Sequence, residues 1–279
     1  MFSKMAKTWF ITGTSSGFGK ELATVVAKNQ DTNLVAAARH LEDLAYLDDF
    51  DSARIEKVII DVTDEAQIKV GVAKALERFE TIDVLVNNAG LGYFATIEES
   101  DMDQVRYMFD VNVIGLANMT KAVLPTMRAQ HAGVIINLSS ALALTTLPTM
   151  GYYSATKYAV EGYSDTLRQE VADLGIKVMA VEPSGARTQW SGRSSRKVVP
   201  AIKDYATFSD SVANVSDSVT QAPGDPKRIA QVIFDQANAS EVPAHLPLGD
   251  FAYHGGLQNL EGLVSEIKSR EDLSLSTDD

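Results

Sequence analysis

Six short runs of β-branched and apolar residues punctuate the first two-thirds of the chain, and longer segments with helical periodicity lie between most of them. The runs are Thr8–Thr12, Asn33–Ala37, Ile55–Ile60, Ile82–Val86, Val134–Leu138 and Lys177–Val181. Short, nearly continuous apolar runs of this kind read as strands buried on both faces. Between them, Leu22, Val25 and Val26 share one helical face, as do Ile68, Val72, Ala75, Leu76 and Phe79. Alternation this regular predicts an α/β protein with a doubly wound parallel sheet and helices on both faces. Asp64 reads as a helix N-cap, and Asp225-Pro226 as an N-cap followed by proline in the first turn. A single domain of 279 residues is ordinary for this class.

Composition narrows the chemistry. The chain has no cysteine, which excludes disulfides and thiolate metal sites. His40, His131, His245 and His254 show no metal-ligand spacing, so no metal is expected. A formal charge of -12 argues against a nucleic-acid surface. No apolar run is long enough to cross a bilayer, and Met1–Lys7 lacks the apolar core of a signal peptide; the expected location is cytoplasmic, with no membrane partner. Residues 189–224, rich in Ser, Thr and Asn, read as a substrate lid or a poorly ordered insert. Residues 270–279 are acidic and polar and are expected to form a disordered tail.

Thr12-Gly13-Thr14-Ser15-Ser16-Gly17-Phe18-Gly19 follows the first run and opens the first helical segment. Gly13 permits a tight turn, Gly17 lets backbone approach a pyrophosphate, and Gly19 allows close packing of helix on strand. The helix N-terminus offers free N–H groups and a positive dipole end, with Ser15, Ser16 and Phe18 on the same loop. A plain turn is the alternative, made less attractive by the loop's place between strand one and helix one. The second run ends in Ala38-Arg39-His40 without the acidic residue that would hold a ribose 2′-hydroxyl. Arg39 either pairs with a 2′-phosphate, with Ser15 adding a hydrogen bond, or is an ordinary solvated arginine. The first reading predicts NADP(H) in preference to NAD(H).

Tyr153 and Lys157 stand at i and i+4 at the start of a long helical segment, on one face. An ammonium near a phenol favours the phenolate, so Lys157 is expected to bring Tyr153 toward a useful pKa. Ser140 lies just past a strand end, where ligands sit in doubly wound sheets, and its hydroxyl can hold a carbonyl oxygen. Asn112, inside a helical segment, is a poor helix former. It reads either as a solvent-facing side chain or as a helix irregularity that holds a water.

In order and spacing, the Thr-Gly-x-x-x-Gly-x-Gly loop, Asn87-Asn88-Ala89-Gly90 and the set Asn112, Ser140, Tyr153, Lys157 resemble the single-domain short-chain dehydrogenase/reductase family, from about Thr8 to Ala239. The resemblance implies a Rossmann fold with a C-terminal substrate lid. It implies a carbonyl reductase or alcohol dehydrogenase in which Tyr153 exchanges the proton, Ser140 orients the oxygen and Lys157 tunes Tyr153 and binds ribose. Asn112 would anchor a water, Asp61 and Val62 would contact adenine, and Asn88, Ala89 and Gly90 would line the cofactor site. Pro183 to Thr188 resembles the family's Pro-Gly-x-x-x-Thr, which places Thr188 at the nicotinamide; here Ser184 replaces the glycine, with Gly185 one place later. Arg39 with Thr14-Ser15-Ser16 is similar to the NADP-preferring branch that holds hydroxysteroid and retinol dehydrogenases. Leu142, Leu144, Leu147, Tyr152 and Trp190 are the expected wall for an apolar substrate. An intact Ser–Tyr–Lys set weighs against the alternative of a catalytically idle NADP-binding protein. Relatives often form homodimers or homotetramers; the stripe Ala155, Ala159, Tyr163, Leu167 and Val171 packs either a partner or the chain's own core.

Overall fold

The computed structural model describes residues 6–190, 194–215 and 221–278. All six expected strands form: β1 (Lys7–Thr12), β2 (Thr32–Ala38), β3 (Ile55–Ile59), β4 (Val84–Asn87), β6 (Gly133–Leu138) and β7 (Ile176–Pro183). A seventh strand, β9 (His245–Leu248), closes one edge, and every pairing in the order β3-β2-β1-β4-β6-β7-β9 is parallel. Periodicity did not reveal β9 because it is four residues long and contains Pro247, which an edge strand tolerates and a central one does not.

Each face of the sheet is buried by helices. Helix α1 (Gly17–Lys28) and α7 (Pro226–Ala237) cover one face, where Trp9 stacks on Phe234 with ring centroids 5.1 Å apart. Helices α2 (Glu65–Phe79), α4 (Leu116–Gln130) and α5 (Gly151–Val171) cover the other, around Phe10, Leu85, Ile135 and Val178. Asp64 caps α2 by accepting from the N–H groups of Ala66 and Gln67, and Asp225 caps α7 by accepting from Lys227. Each such cap contributes about 1 kcal/mol. This is the doubly wound Rossmann-type domain that the strand–helix alternation predicts.

A third apolar cluster, around Tyr93, Phe94, Met108 and Tyr153, lies beyond the carboxyl ends of the strands. It is held between β5 (Gly92–Phe94), α3 (Met102–Phe109) and α5. A short strand β8 (Ser195–Lys197) pairs with β5. That pairing, and the Glu99 carboxylate accepting from the N–H groups of Ala201 and Ile202, tie the described part of 189–224 to the body. Residues 191–193 and 216–220 of this segment lie outside the described residues.

Helix α8 (Gly256–Lys268) is followed by a short exposed helical turn, α9 (Glu271–Leu275), with two acidic residues at its positive end. The α5 stripe splits: Leu167 and Val171 enter the core, whereas Ala155 is exposed.

Candidate active site

In sheets of this kind the crevice opens where strand order reverses. Here that point lies between the carboxyl ends of β1 and β4, and a cavity of about 390 Å³ occupies it. Of the site residues expected from the sequence, Gly13, Ser15, Ser16, Gly17, Phe18, Arg39, Val62, Asn88, Ala89, Gly90, Leu142, Leu147, Pro183, Thr188, Trp190, Ser140, Tyr153 and Lys157 line it. Gly19, Asp61 and Asn112 do not.

The glycine loop is shaped for close approach. Gly13 and Gly17 have φ of +69° and +57°, a region that side chains disfavour. A Cβ on Gly13 would stand 2.8 Å from the Ala89 Cα, and one on Gly19 would stand 2.3 Å from the Asn88 Nδ2. Gly19 is therefore a packing residue beneath the loop rather than part of its surface. Asn88 explains the tightness: its amide donates to the Thr12 and Gly13 carbonyls at 2.9 and 3.0 Å, while its own N–H donates to the Thr12 hydroxyl. The loop after β1 is thus stitched to the end of β4. Ser16 occupies the N-cap of α1 with no side-chain cap bond, so the first N–H groups of the helix face the cavity unsatisfied by it. These donors, the positive dipole end and the missing Cβ atoms fit a dinucleotide pyrophosphate.

Arg39, at the end of β2, lines the same cavity and makes no hydrogen bond or ion pair to the described residues. Its guanidinium is free for an anion. The Asp61 carboxylate instead accepts from the N–H and hydroxyl of Thr63, so the wall here is Ile60 and Val62. An Asp flanked by a Thr two residues on closes its own local turn, which removes the side chain, though not its backbone, from the crevice.

The first turns of α5 carry Tyr153 and Lys157, both buried. The Ser140 hydroxyl hydrogen-bonds the phenol and also accepts from the Leu142 N–H. Lys157 donates to the Leu138 carbonyl at 2.7 Å, and its Nζ lies 5.6 Å from the Tyr153 ring centroid. Burial pushes Tyr153 up to about 12, with the Ser140 hydrogen bond acting in the opposite direction. Burial likewise pushes Lys157 down to about 8, opposed by the charge of Glu161. Removal from water therefore dominates the phenol in this pocket. A phenol in that state is a proton donor at neutral pH.

Asn112 sits in a π-helical turn, Asp110–Gly115, and is buried, not solvent-facing. Its amide donates to the Leu91 carbonyl and the Thr156 hydroxyl, and its oxygen accepts from the Leu91 N–H at 2.7 Å. It joins β5's entry to the helix that carries Tyr153 and Lys157. Ser184, where glycine was expected, adopts no positive φ, and neither does Gly185. The serine hydroxyl accepts from the Ala252 N–H at 2.8 Å, and the positive φ falls on Gly249 against it. Thr188 stands over Gly17 across the cavity.

On the far side of Tyr153 the wall is apolar. Trp190 packs on Tyr153 and edge-on against Phe94, with centroids 4.9 and 5.5 Å apart. Leu144 and Tyr152, expected in this wall, are absent from it: Leu144 packs against Gly256 and Tyr152 against the third core cluster. Phe94, Met150, Val215 and Phe251 take their place. None carried a sequence signal, because each arrives from an element whose position depends on the whole fold. Among the described lining residues, Arg39 and Lys157 alone are charged.

The model of the family described as short chain dehydrogenase matches residues 7–198. The chain is 34% identical over 278 residues to an oxidoreductase, BOA17, of Botryotinia fuckeliana, covering 98% of this chain and 100% of that protein. It superposes with a TM-score of 0.86 on the crystal structure of a short-chain dehydrogenase from Streptomyces avermitilis, at 34% identity and covering 99% and 100% of the two chains. A short-chain dehydrogenase/reductase from Burkholderia phymatum, solved in complex with NAD, superposes at 0.76 with 26% identity over 97% of that chain and 99% of this one. Among the described residues, no helix is long and apolar enough to cross a membrane. With a parallel sheet opening on a glycine-lined crevice, and a family model spanning two-thirds of its length, the chain belongs to the short-chain dehydrogenase/reductase family and is an oxidoreductase that uses a nicotinamide cofactor.

Proposed function

We propose that the protein is an NADP(H)-dependent carbonyl reductase or alcohol dehydrogenase acting on apolar ketones, aldehydes or the corresponding alcohols. The observation that carries this reading is the convergence of Ser140, Tyr153 and Lys157 on the cavity that the glycine loop and Arg39 also line. The cofactor, when bound, supplies or takes up the hydride. In reduction, the Ser140 hydroxyl holds the carbonyl oxygen and the Tyr153 phenol donates its proton to that oxygen as the carbon–oxygen double bond becomes a carbinol. A phenol pushed up to about 12 holds its proton at neutral pH, the form that carbonyl reduction requires. Lys157 anchors to the Leu138 carbonyl and its ammonium supports the phenolate left behind. The Asn112 amide is spent on Leu91 and Thr156, so a water held at this point would be bound by the backbone of the π-helical turn.

The preference for NADP(H) rests on Arg39, the one free cation on the adenine side of the described cavity lining. The preference for apolar substrates rests on Leu142, Leu147, Trp190 and their neighbours, which offer no ionic partner to a carboxylate or an ammonium. Segment 189–224, which supplies Trp190 and Val215, acts as the lid. A homodimer or homotetramer is supported by Ile114 and Tyr158, large apolar side chains exposed on the faces of the π-helical turn and α5. The cysteine-free composition supports a cytoplasmic location.

The test is NADPH consumption, with NADH as control, against apolar ketones, aldehydes and quinones, for the protein and for Tyr153→Phe. The reading expects NADPH-dependent turnover, a loss of at least about a thousandfold in the variant, and nearly unchanged NADPH binding. Turnover that survives in Tyr153→Phe removes Tyr153 from the chemistry. NADPH binding without turnover on any substrate points to the idle binder.

A further inference from the structure

One helical turn beyond Lys157, Glu161 lies in a setting that packing alone does not explain. Its side chain is 12% exposed, both carboxylate oxygens are sealed from solvent, and the one hydroxyl among the described residues that bears on them is that of Ser139. A buried carboxylate costs several kcal/mol unless it is paired. What surrounds Glu161 is charge. Lys157 precedes it by four residues on α5, and Asp165 follows it by four on the same helix, engaged by Arg168 at 2.6 Å. From β9, the His245 Nδ1 stands 3.4 Å from the Glu161 Oε2, while its Nε2 is 3.2 Å from Asp165. From β7, the fully buried Glu182 meets His245 at 3.0 Å and accepts from the Leu246 N–H. From the end of β6 comes Ser139, whose hydroxyl favours the ionised form of Glu161. The imidazole is half-exposed and forms the outer end of the cluster.

We propose that Glu161 is the positioning residue for Lys157: its carboxylate is the counterion that keeps the buried ammonium charged, with Glu182, Asp165 and His245 setting how firmly Glu161 itself is ionised. Among the described residues, Glu161 is the one acidic group that acts on Lys157. Its single strong contact, the Leu138 carbonyl, orients the ammonium but brings no full charge. Without a counterion, burial favours the neutral amine, and a neutral amine cannot support the Tyr153 phenolate. The dependence is mutual, since Glu161, pushed up by burial and by Asp165, is held down by the Ser139 hydroxyl, by His245 and by Lys157. His245, 84 residues after Glu161 in the sequence, is brought to it only by the β7–β9 pairing.

The proposal rests on Lys157 serving in the site described above, but its test reads the lysine directly. The whole cofactor-free protein, labelled at its lysine side chains, is titrated by NMR, with Lys157→Met assigning the resonance. In the parent protein that lysine is expected to titrate near pH 8. In Glu161→Gln its midpoint falls by about one pH unit, a tenfold loss of proton affinity. Glu161→Asp, which keeps a carboxylate, restores most of the shift. Glu161→Met, of similar volume and without a polar group to satisfy, gives the same fall if the glutamine variant does not fold. The basic limb of kcat/KM for carbonyl reduction moves down by the same amount, whereas a purely structural role lowers the rate equally at every pH. A Lys157 midpoint unchanged in both Glu161→Gln and Glu161→Met overturns the proposal. A midpoint that falls in a protein that turns over nothing leaves Glu161 as the counterion and overturns the oxidoreductase chemistry assigned to the site.

Discussion

The indole of Trp190 lies against the phenol of Tyr153, with ring centroids 4.9 Å apart and planes at 57°. The residue expected to hand a proton to the substrate is thus covered on one face by Trp190. Trp190 also packs over Gly92, where a Cβ would stand 2.6 Å from the indole. The tryptophan therefore sets both the shape of the pocket and the dryness of the phenol.

Trp190→Ala is expected to lower kcat/KM about tenfold for compact apolar carbonyls and to raise it for bulky ones. An aromatic pair of this kind contributes about 0.5–1.5 kcal/mol beyond its buried area, and tenfold in rate is about 1.4 kcal/mol. Comparing two ketones of different bulk checks this; an equal loss for both makes Trp190 a general packing residue.

Arg39→Asp is expected to weaken NADPH binding by at least about tenfold, the scale of one lost charge-assisted hydrogen bond, and to leave NADH unchanged or tighter. Fluorescence titration with each dinucleotide measures it. An unaltered ratio of the two affinities takes Arg39 out of the cofactor site.

Gly19→Ala puts a methyl 2.3 Å from the Asn88 Nδ2 and 2.4 Å from the Gly13 carbonyl oxygen. Neither can move without opening the loop that Asn88 stitches together. Destabilisation of about 1–3 kcal/mol is expected, together with weaker dinucleotide binding. Thermal unfolding with and without NADPH separates the two effects, and a variant of unchanged Tm and affinity shows that the packing yields.

Burial and the charge of Glu161 raise Glu182 to about 7 from an ordinary 4.5. The native state therefore binds an extra proton between those values. That contribution to stability is complete below about 4.5 and is lost as pH rises through 7. Glu182→Gln has no such proton to lose, so its Tm relative to the parent should rise between pH 5 and pH 8. A gap that is constant, or that moves the other way, shows Glu182 ionised throughout.

Much of this molecule was legible before its structure. The strands needed no tertiary information, because a strand buried on both faces has to be apolar throughout. The glycine loop was legible for a related reason: Gly13 and Gly17 occupy backbone conformations that other residues disfavour. Ser140, Tyr153 and Lys157 were legible as a set in order and spacing, and the fold brings them to one cavity. Where the reading went astray, the error was about neighbours: Leu144 was placed in the pocket although it supports Gly256.

Local patterns state what a residue's own backbone and face require, and so the sequence by itself determined the layers, the switch-point crevice and the chemical character of its floor. Which way a pKa moves depends on how much water and which charges surround a group, and these come from elements far apart in the chain. Tyr153 is pushed up because β5, α3 and Trp190 bury it. His245 was one of four scattered histidines until β9 set it between Glu161 and Glu182. Those assignments belong to the tertiary structure alone, since desolvation and Coulomb energy act through space and not along the sequence.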